Sequence, residues 1–112
     1  MSYQPVKPTE DQLTELEQKH GDLLALSGDP KYSPYFVVFR RPKRQEIIGY
    51  KVHLKRDSTT ANEELVKRIV VFPDRQELDR ILDTFPLAPD FCVNDDSFQK
   101  FVGLASQADL KG

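Results

Sequence analysis

Hydrophobic residues recur at helical spacing in the first part of the chain. Leu13 and Leu16 fall on one face of a helix, while acidic residues occupy the other faces. Thr9 and Gln12 have the spacing of a capping box, in which each side chain bonds to the backbone N–H of the other residue. Gly21 is typical of a residue that follows the last turn of a helix. The pattern therefore predicts a first helix between Thr9 and Gly21.

Two short segments that follow have the composition of strands. Leu23–Leu26 leads into a turn that contains Pro30, and Tyr35–Phe39 is a run of five aromatic or β-branched residues. We expect the two segments to pair as an antiparallel hairpin. Because two strands alone are marginally stable in water, helices must pack on them. A run that is apolar on both faces indicates either that both faces are covered or that one face contacts a partner.

The rest of the chain has the hydrophobic period of helices. The predicted helices run from about Pro42 to Arg56, from about Thr60 to Val71, from Asp74 to Phe85, and from Asn94 or Asp95 onwards, with a turn at Pro86–Pro89. No strand–helix–strand alternation occurs, so the predicted fold class is α+β, a short antiparallel β-hairpin packed against about four to five helices. We expect a single domain over residues 9–106, a flexible N-terminal arm at 1–8 and a frayed tail at 107–112.

The composition fits one folded domain. The chain has 112 residues, of which 38% are hydrophobic and 30% charged, and its net charge is -2. No apolar run reaches the roughly 18 residues of a membrane span, and no signal-peptide pattern opens the chain. The single Cys92 cannot form an internal disulfide, so we expect a reducing compartment such as the cytoplasm. Membrane, collagen, coiled-coil and secreted disulfide-rich classes are excluded.

Residues with catalytic or metal-binding chemistry are few and scattered. His20 and His53 belong to separate predicted helices, and the chain has no Cys-x-x-Cys, His-Glu-x-x-His or glycine-rich phosphate loop. Cys92 lies between Phe91 and Val93, which indicates a small core residue rather than a nucleophile. The sequence therefore predicts no metal site, no cofactor and no enzymatic activity.

Charge is concentrated in one segment. Residues 40–56 hold seven Lys or Arg residues against Glu46 alone, a local balance of +6, whereas the rest of the chain holds nine basic and seventeen acidic residues, a balance of -8. Such a segment could contact an acidic protein surface, bind nucleic-acid phosphates or simply face solvent. The isoelectric point of about 5.7 and the absence of a helix-turn-helix or RNA-stacking motif make nucleic acid the least favoured of the three.

The ordered motifs resemble a known protein family. After Lys19-His20-Gly21 and a short strand, residues 39–46 match the pattern F-[RK]-x-P-x-R-x-E, and residues 72–78 match a hydrophobic–Pro-Asp–x-x-Glu-Leu junction. Over residues 13 to 104 this order is similar to that of the small tail assembly chaperones of long-tailed bacteriophages. The resemblance implies a non-enzymatic protein that binds and solubilises the tape measure protein, helps to recruit tail tube subunits, and works in the host cytoplasm.

The resemblance identifies no catalytic residue, and the predicted partner contact comes from the hairpin and its basic flank. Self-association is a further expectation, and the alternative function is a nucleic-acid-associated accessory phage protein that uses the basic 40–56 segment. The apolar half of the contact has a second interpretation, ordinary core, which the sequence favours over a partner contact. The predicted contact residues are Tyr35, Val37 and Phe39 for the apolar part and Arg40, Arg41, Arg44 and Lys51 for the charged part.

Overall fold

The structure, a computed structural model, describes residues 4–104, and the predicted tail at 107–112 lies outside this range. Each helix within the described range is too short or too polar to cross a membrane. The elements in chain order are α1 (Glu10–His20), β1 (Leu23–Ser27), β2 (Phe36–Arg40), α2 (Arg44–Leu54), α3 (Ser58–Ile69), β3 (Val70–Phe72), α4 (Arg75–Thr84), α5 (Ala88–Asn94) and α6 (Asp96–Val102).

The strands form one antiparallel sheet in the order β1-β2-β3. In the β1–β2 hairpin Leu24 lies opposite Phe39, and Leu26 lies opposite Val37. The predicted hairpin is therefore confirmed, and so is the α+β fold class. The turn between the strands needs a glycine at position 28, because a Cβ there would meet the ring of Tyr35.

Strand β3 was not predicted from the sequence, which indicated a helix continuing to Val71. Helix α3 instead ends at Ile69, and the next three residues pair with the free edge of β2. Val70, Val71 and Phe72 are β-branched or aromatic, a composition that favours extended backbone once an edge is available for pairing. The helix also begins earlier than predicted, at Ser58.

Helix α5 was missed as well, because the sequence indicated only a turn at residues 86–89. Pro89 lies in the first turn of this helix, where the missing backbone N–H of proline has no helical partner to lose. Asp95 then caps α6 by accepting from the backbone N–H groups of Ser97 and Phe98 at 2.8 and 3.2 Å. One of the two predicted caps is thus confirmed, and so is the Thr9 capping box of α1.

The core lies on one face of the sheet, between β2 and the helices that follow it. Phe39 and Phe98 are both completely buried, and their rings meet edge to face at a centroid distance of 5.1 Å. Burying each large apolar side chain of this kind contributes about 1.5–3 kcal/mol to stability. The other completely or almost completely buried side chains of the cluster include Leu65, Ile69, Leu78 and Ile81.

The opposite face of the sheet is covered by the N-terminal part of the chain. Val38 points to this face and is completely buried. The Lys7 ammonium lies 5.8 Å from the ring centroid of Phe36, and Leu16 of α1 lines a groove together with Phe72 of β3. Strand β2 is therefore buried on both faces, which explains why its sequence is apolar without alternation.

Candidate protein-binding face

Arg40, at the end of β2, is held inside the fold by four hydrogen bonds. Its Nη1 and Nη2 atoms donate to the Glu46 carboxylate on α2 at 2.8 Å each, and to the backbone carbonyls of Arg41 and Arg68 at 3.0 Å. Glu46 also accepts from the backbone N–H of Lys43 at 2.7 Å, which caps the start of α2. The Arg40 and Glu46 side chains are only 18% and 15% exposed. Arg40 therefore joins β2, α2 and α3, and four of its five N–H donors are used within the chain.

Arg41 is placed differently, on the surface beside the C-terminal helix. Its Nε atom lies 3.4 Å from a carboxylate oxygen of Asp22, and both side chains are mostly exposed. Its guanidinium also lies 5.1 Å from the ring centroid of Phe101. An exposed ion pair of this kind contributes little to stability, so Arg41 is available to a partner at low cost.

The predicted apolar contact residues are all buried. Tyr35 is 5% exposed, Val37 2% and Phe39 0%. They belong to the core on the inner face of the sheet, so in the folded chain they present no surface to another polypeptide. The core interpretation accounts for all three, because the helices that follow the hairpin pack on the face from which these side chains project.

The outer side of α2 carries the remaining predicted residues, the exposed Arg44 and the half-buried Lys51. At 100° per residue, Arg44, Ile48, Lys51, Val52 and Lys55 fall within about 100° of the helix circumference. Ile48 is 49% exposed and Val52 is 51% exposed. No acidic side chain of the described residues lies within ion-pair distance of the three cations. We call these five residues the α2 stripe.

Some basic side chains outside the α2 stripe have a counterion. On α3 and α4, for example, Lys67 pairs with Glu63 and Arg80 pairs with Glu77. Single exposed apolar residues are ordinary on protein surfaces, but here two of them adjoin three unpaired cations. The stripe therefore offers apolar area and positive charge together, a combination suited to an amphipathic acidic segment.

The other side of α2 faces α3 across a cleft of about 300 Å³. His53 Nδ1 lies 2.7 Å from Glu64 Oε2 at its rim. Deeper in the fold, the Tyr50 hydroxyl donates to Asn62 Oδ1 at 2.8 Å, and Asn62 Nδ2 donates to Asp90 Oδ1 at 2.7 Å. These bonds run from α2 through α3 to α5. They fix the positions of these three helices relative to one another.

Cys92 lies in the core and is poorly suited to nucleophilic chemistry. Its side chain is 3% exposed, and its Sγ atom lies 3.9 Å from the Tyr35 hydroxyl. Burial raises the pKa of the Cys92 thiol to about 12, so the reactive thiolate is scarce at neutral pH. Within residues 4–104 no three His, Cys, Asp or Glu side chains converge in a way that could hold a metal ion.

Sequence reasoning missed Ile48, Val52 and Lys55 as surface residues of the same stripe as Arg44 and Lys51. The signal was present, because Ile48 and Val52 are four residues apart and lie on a different face of α2 from Ile47 and the buried Tyr50. An apolar pair outside the core stripe of an amphipathic helix indicates a second contact face.

Comparisons with known proteins extend the description of the fold. No family model matches the chain, and no curated protein matches it. Among solved structures, an uncharacterised protein from Bacillus stearothermophilus is similar, with a TM-score of 0.65 and 19% sequence identity over 83% of this chain and 90% of that one. At this level of identity the similarity shows a shared arrangement of helices and strands.

Proposed function

We propose that this chain is a non-enzymatic tail assembly chaperone of a long-tailed bacteriophage, which binds the tape measure protein and keeps it soluble during tail morphogenesis. The observation that carries the proposal is the α2 stripe, where the half-exposed Ile48 and Val52 adjoin three cations without counterions. The proposal also uses the resemblance of residues 39–46 to the motif of that family.

The geometry divides that motif into two roles. Arg40 and Glu46 form the ion pair that fixes the start of α2 against β2 and α3. Arg44 lies within the same motif but on the exposed stripe, together with Lys51. The motif thus supplies both the clamp that orients α2 and part of the face that α2 presents.

A tape measure protein is a suitable client for such a face. It is long and helical, and an isolated amphipathic helix exposes an apolar stripe that aggregates unless another surface covers it. On the α2 stripe, Ile48 and Val52 can cover apolar residues of the client, while the flanking cations attract acidic ones. Complementary charge speeds encounter and selects the orientation of the bound segment.

Coexpression with a helix-rich fragment of the tape measure protein from the same genome tests the proposal. We expect the fragment to stay soluble with the wild-type chain and to precipitate with the double variant Ile48→Ser/Val52→Ser. Both positions are about half exposed, so the variant keeps its fold, which circular dichroism checks. The matched control is Tyr32→Ser, at a 74% exposed position on the hairpin loop, and it should behave as the wild type. A fragment that is insoluble with the wild-type chain overturns the proposal.

Nucleic-acid binding is the competing use of the same cations. Two of the seven basic residues in segment 40–56, Arg40 and Arg41, already have acidic partners, which reduces the charge available to phosphates. If nucleic acid were the partner, fluorescence anisotropy with a labelled duplex would show binding at low salt that falls steeply as salt rises. We expect no binding at low salt.

A further inference from the structure

A second exposed apolar pair lies at α5, on a part of the chain with the opposite charge. Leu87 is 56% exposed and Phe91 is 59% exposed, and they are four residues apart. Residues 81–99 contain four aspartates and no Lys or Arg. Of these, Asp83 lies near the end of α4 and Asp95 caps the start of α6, so they border Leu87 and Phe91 along the chain, and both are exposed. We call Leu87, Phe91, Asp83 and Asp95 the α5 corner.

The α5 corner and the α2 stripe are complementary. Each has two half-exposed apolar residues four positions apart, and the exposed charges next to them along the chain are negative at the corner and positive on the stripe. The pairs Ile48/Val52 and Leu87/Phe91 could therefore pack on each other with opposite charges around them, the arrangement of an apolar centre with a charged rim that is common in protein interfaces.

The two surfaces cannot meet within one copy of the chain. Helix α3 lies between α2 and α5, and the hydrogen bonds from Tyr50 to Asn62 and from Asn62 to Asp90 fix all three helices together. Contact between a stripe and a corner therefore requires two molecules.

We propose that the α5 corner of one copy docks on the α2 stripe of a second copy. The two contacting surfaces differ, so the interface is heterologous. A pair of copies therefore still has one free stripe and one free corner, to which further copies can add as a ring or a filament. The corner offers the same chemistry as an acidic amphipathic client, so a client that binds the stripe competes with self-association. This last point rests on the proposed function, whereas docking between copies does not.

Sedimentation velocity on the purified chain over a range of concentrations and salt tests the inference. We expect assemblies larger than a monomer that dissociate on dilution and in high salt. The stripe variant Ile48→Ser/Val52→Ser and the corner variant Leu87→Ser/Phe91→Ser should each self-associate at least about tenfold more weakly than the wild type. All four positions are exposed, so both variants should fold, and Tyr32→Ser should assemble as the wild type.

A mixture of the two variants gives the sharper result. The stripe variant retains its corner and the corner variant retains its stripe, so a heterologous interface predicts a one-to-one heterodimer and nothing larger. A corner variant that assembles like the wild type would show that the corner is not part of the interface and would overturn the inference. A wild-type chain that stays monomeric at millimolar concentration would overturn it too, while leaving the coexpression result for the tape measure fragment to decide the proposed function.

Discussion

The Arg40 clamp supports a quantitative prediction about stability. Replacing Arg40 with Met keeps most of the aliphatic length and removes the donors to Glu46 and to the carbonyls of Arg41 and Arg68, four hydrogen bonds of 2.8 to 3.0 Å. A hydrogen bond that involves a charged group contributes about 1.5–3 kcal/mol when buried. Here water can partly replace the lost donors, since the Glu46 side chain is 15% exposed and the Arg40 side chain is 18% exposed. We therefore expect Arg40→Met to lower the free energy of unfolding by about 2–3 kcal/mol.

Urea denaturation followed by circular dichroism measures this loss. For a domain of this size it corresponds to a fall in Tm of roughly 10–20 °C. The matched control is Arg44→Met in the same basic segment, where the guanidinium is exposed and unpaired among the described residues. The control should change stability by no more than about 0.5 kcal/mol. Equal effects of the two substitutions would refute the assignment of Arg40 to the fold and Arg44 to the surface.

The same variant should change how stability depends on pH. The hydrogen bond from Arg40 is the main cause that lowers the pKa of Glu46 below its ordinary value. A carboxyl group with a lowered pKa in the folded state stabilises the fold above its unfolded pKa, and this contribution is lost as pH falls through the folded pKa. Acidification below about pH 4.5 should therefore destabilise the wild type more than Arg40→Met. Parallel acid titrations of the two chains would contradict this reasoning.

Three further substitutions or reactions test other parts of the structure. Gly28→Ala should cost about 1–3 kcal/mol in urea denaturation, because its Cβ would meet the Ser33 carbonyl oxygen and the Tyr35 ring. Gly49→Ala should instead raise stability by about 0.5–1 kcal/mol, since open space surrounds this position within α2; a loss would contradict the packing described. Cys92, 3% exposed and with a pKa raised to about 12, should react with iodoacetamide far more slowly in the folded chain than in urea, and equal rates would place it at the surface.

The elements that could be predicted are those set by neighbouring residues. The caps at Thr9 and Asp95 depend on side chains two or three positions from the backbone groups they bond. Strand β2 (Phe36–Arg40) could be predicted because most of its side chains are aromatic or β-branched, a composition that favours extended backbone. In contrast, β3 forms only because β2 offers a free edge to residues 70–72, and no local pattern contains that edge.

The roles of the residues in the candidate site could also not be predicted from neighbouring residues alone. Arg40 and Arg44 belong to one basic run, and the sequence gives no reason to separate them. Their roles differ because the end of β2 brings Arg40 within 2.8 Å of Glu46 and 3.0 Å of the Arg68 carbonyl, whereas Arg44 lies on the exposed side of α2. Which cation is neutralised depends on how β2, α2 and α3 pack together, and the Arg68 carbonyl is 28 residues from Arg40 along the chain.

By itself, the amino-acid order determined the α+β class, most helix caps, the hairpin and the concentration of positive charge in residues 40–56. Only the packed chain decided that Tyr35, Val37 and Phe39 are core and that Ile48 and Val52 are surface. The physical reason is that helical or strand period follows from the backbone of a few neighbouring residues, while exposure depends on which distant element covers a given side chain.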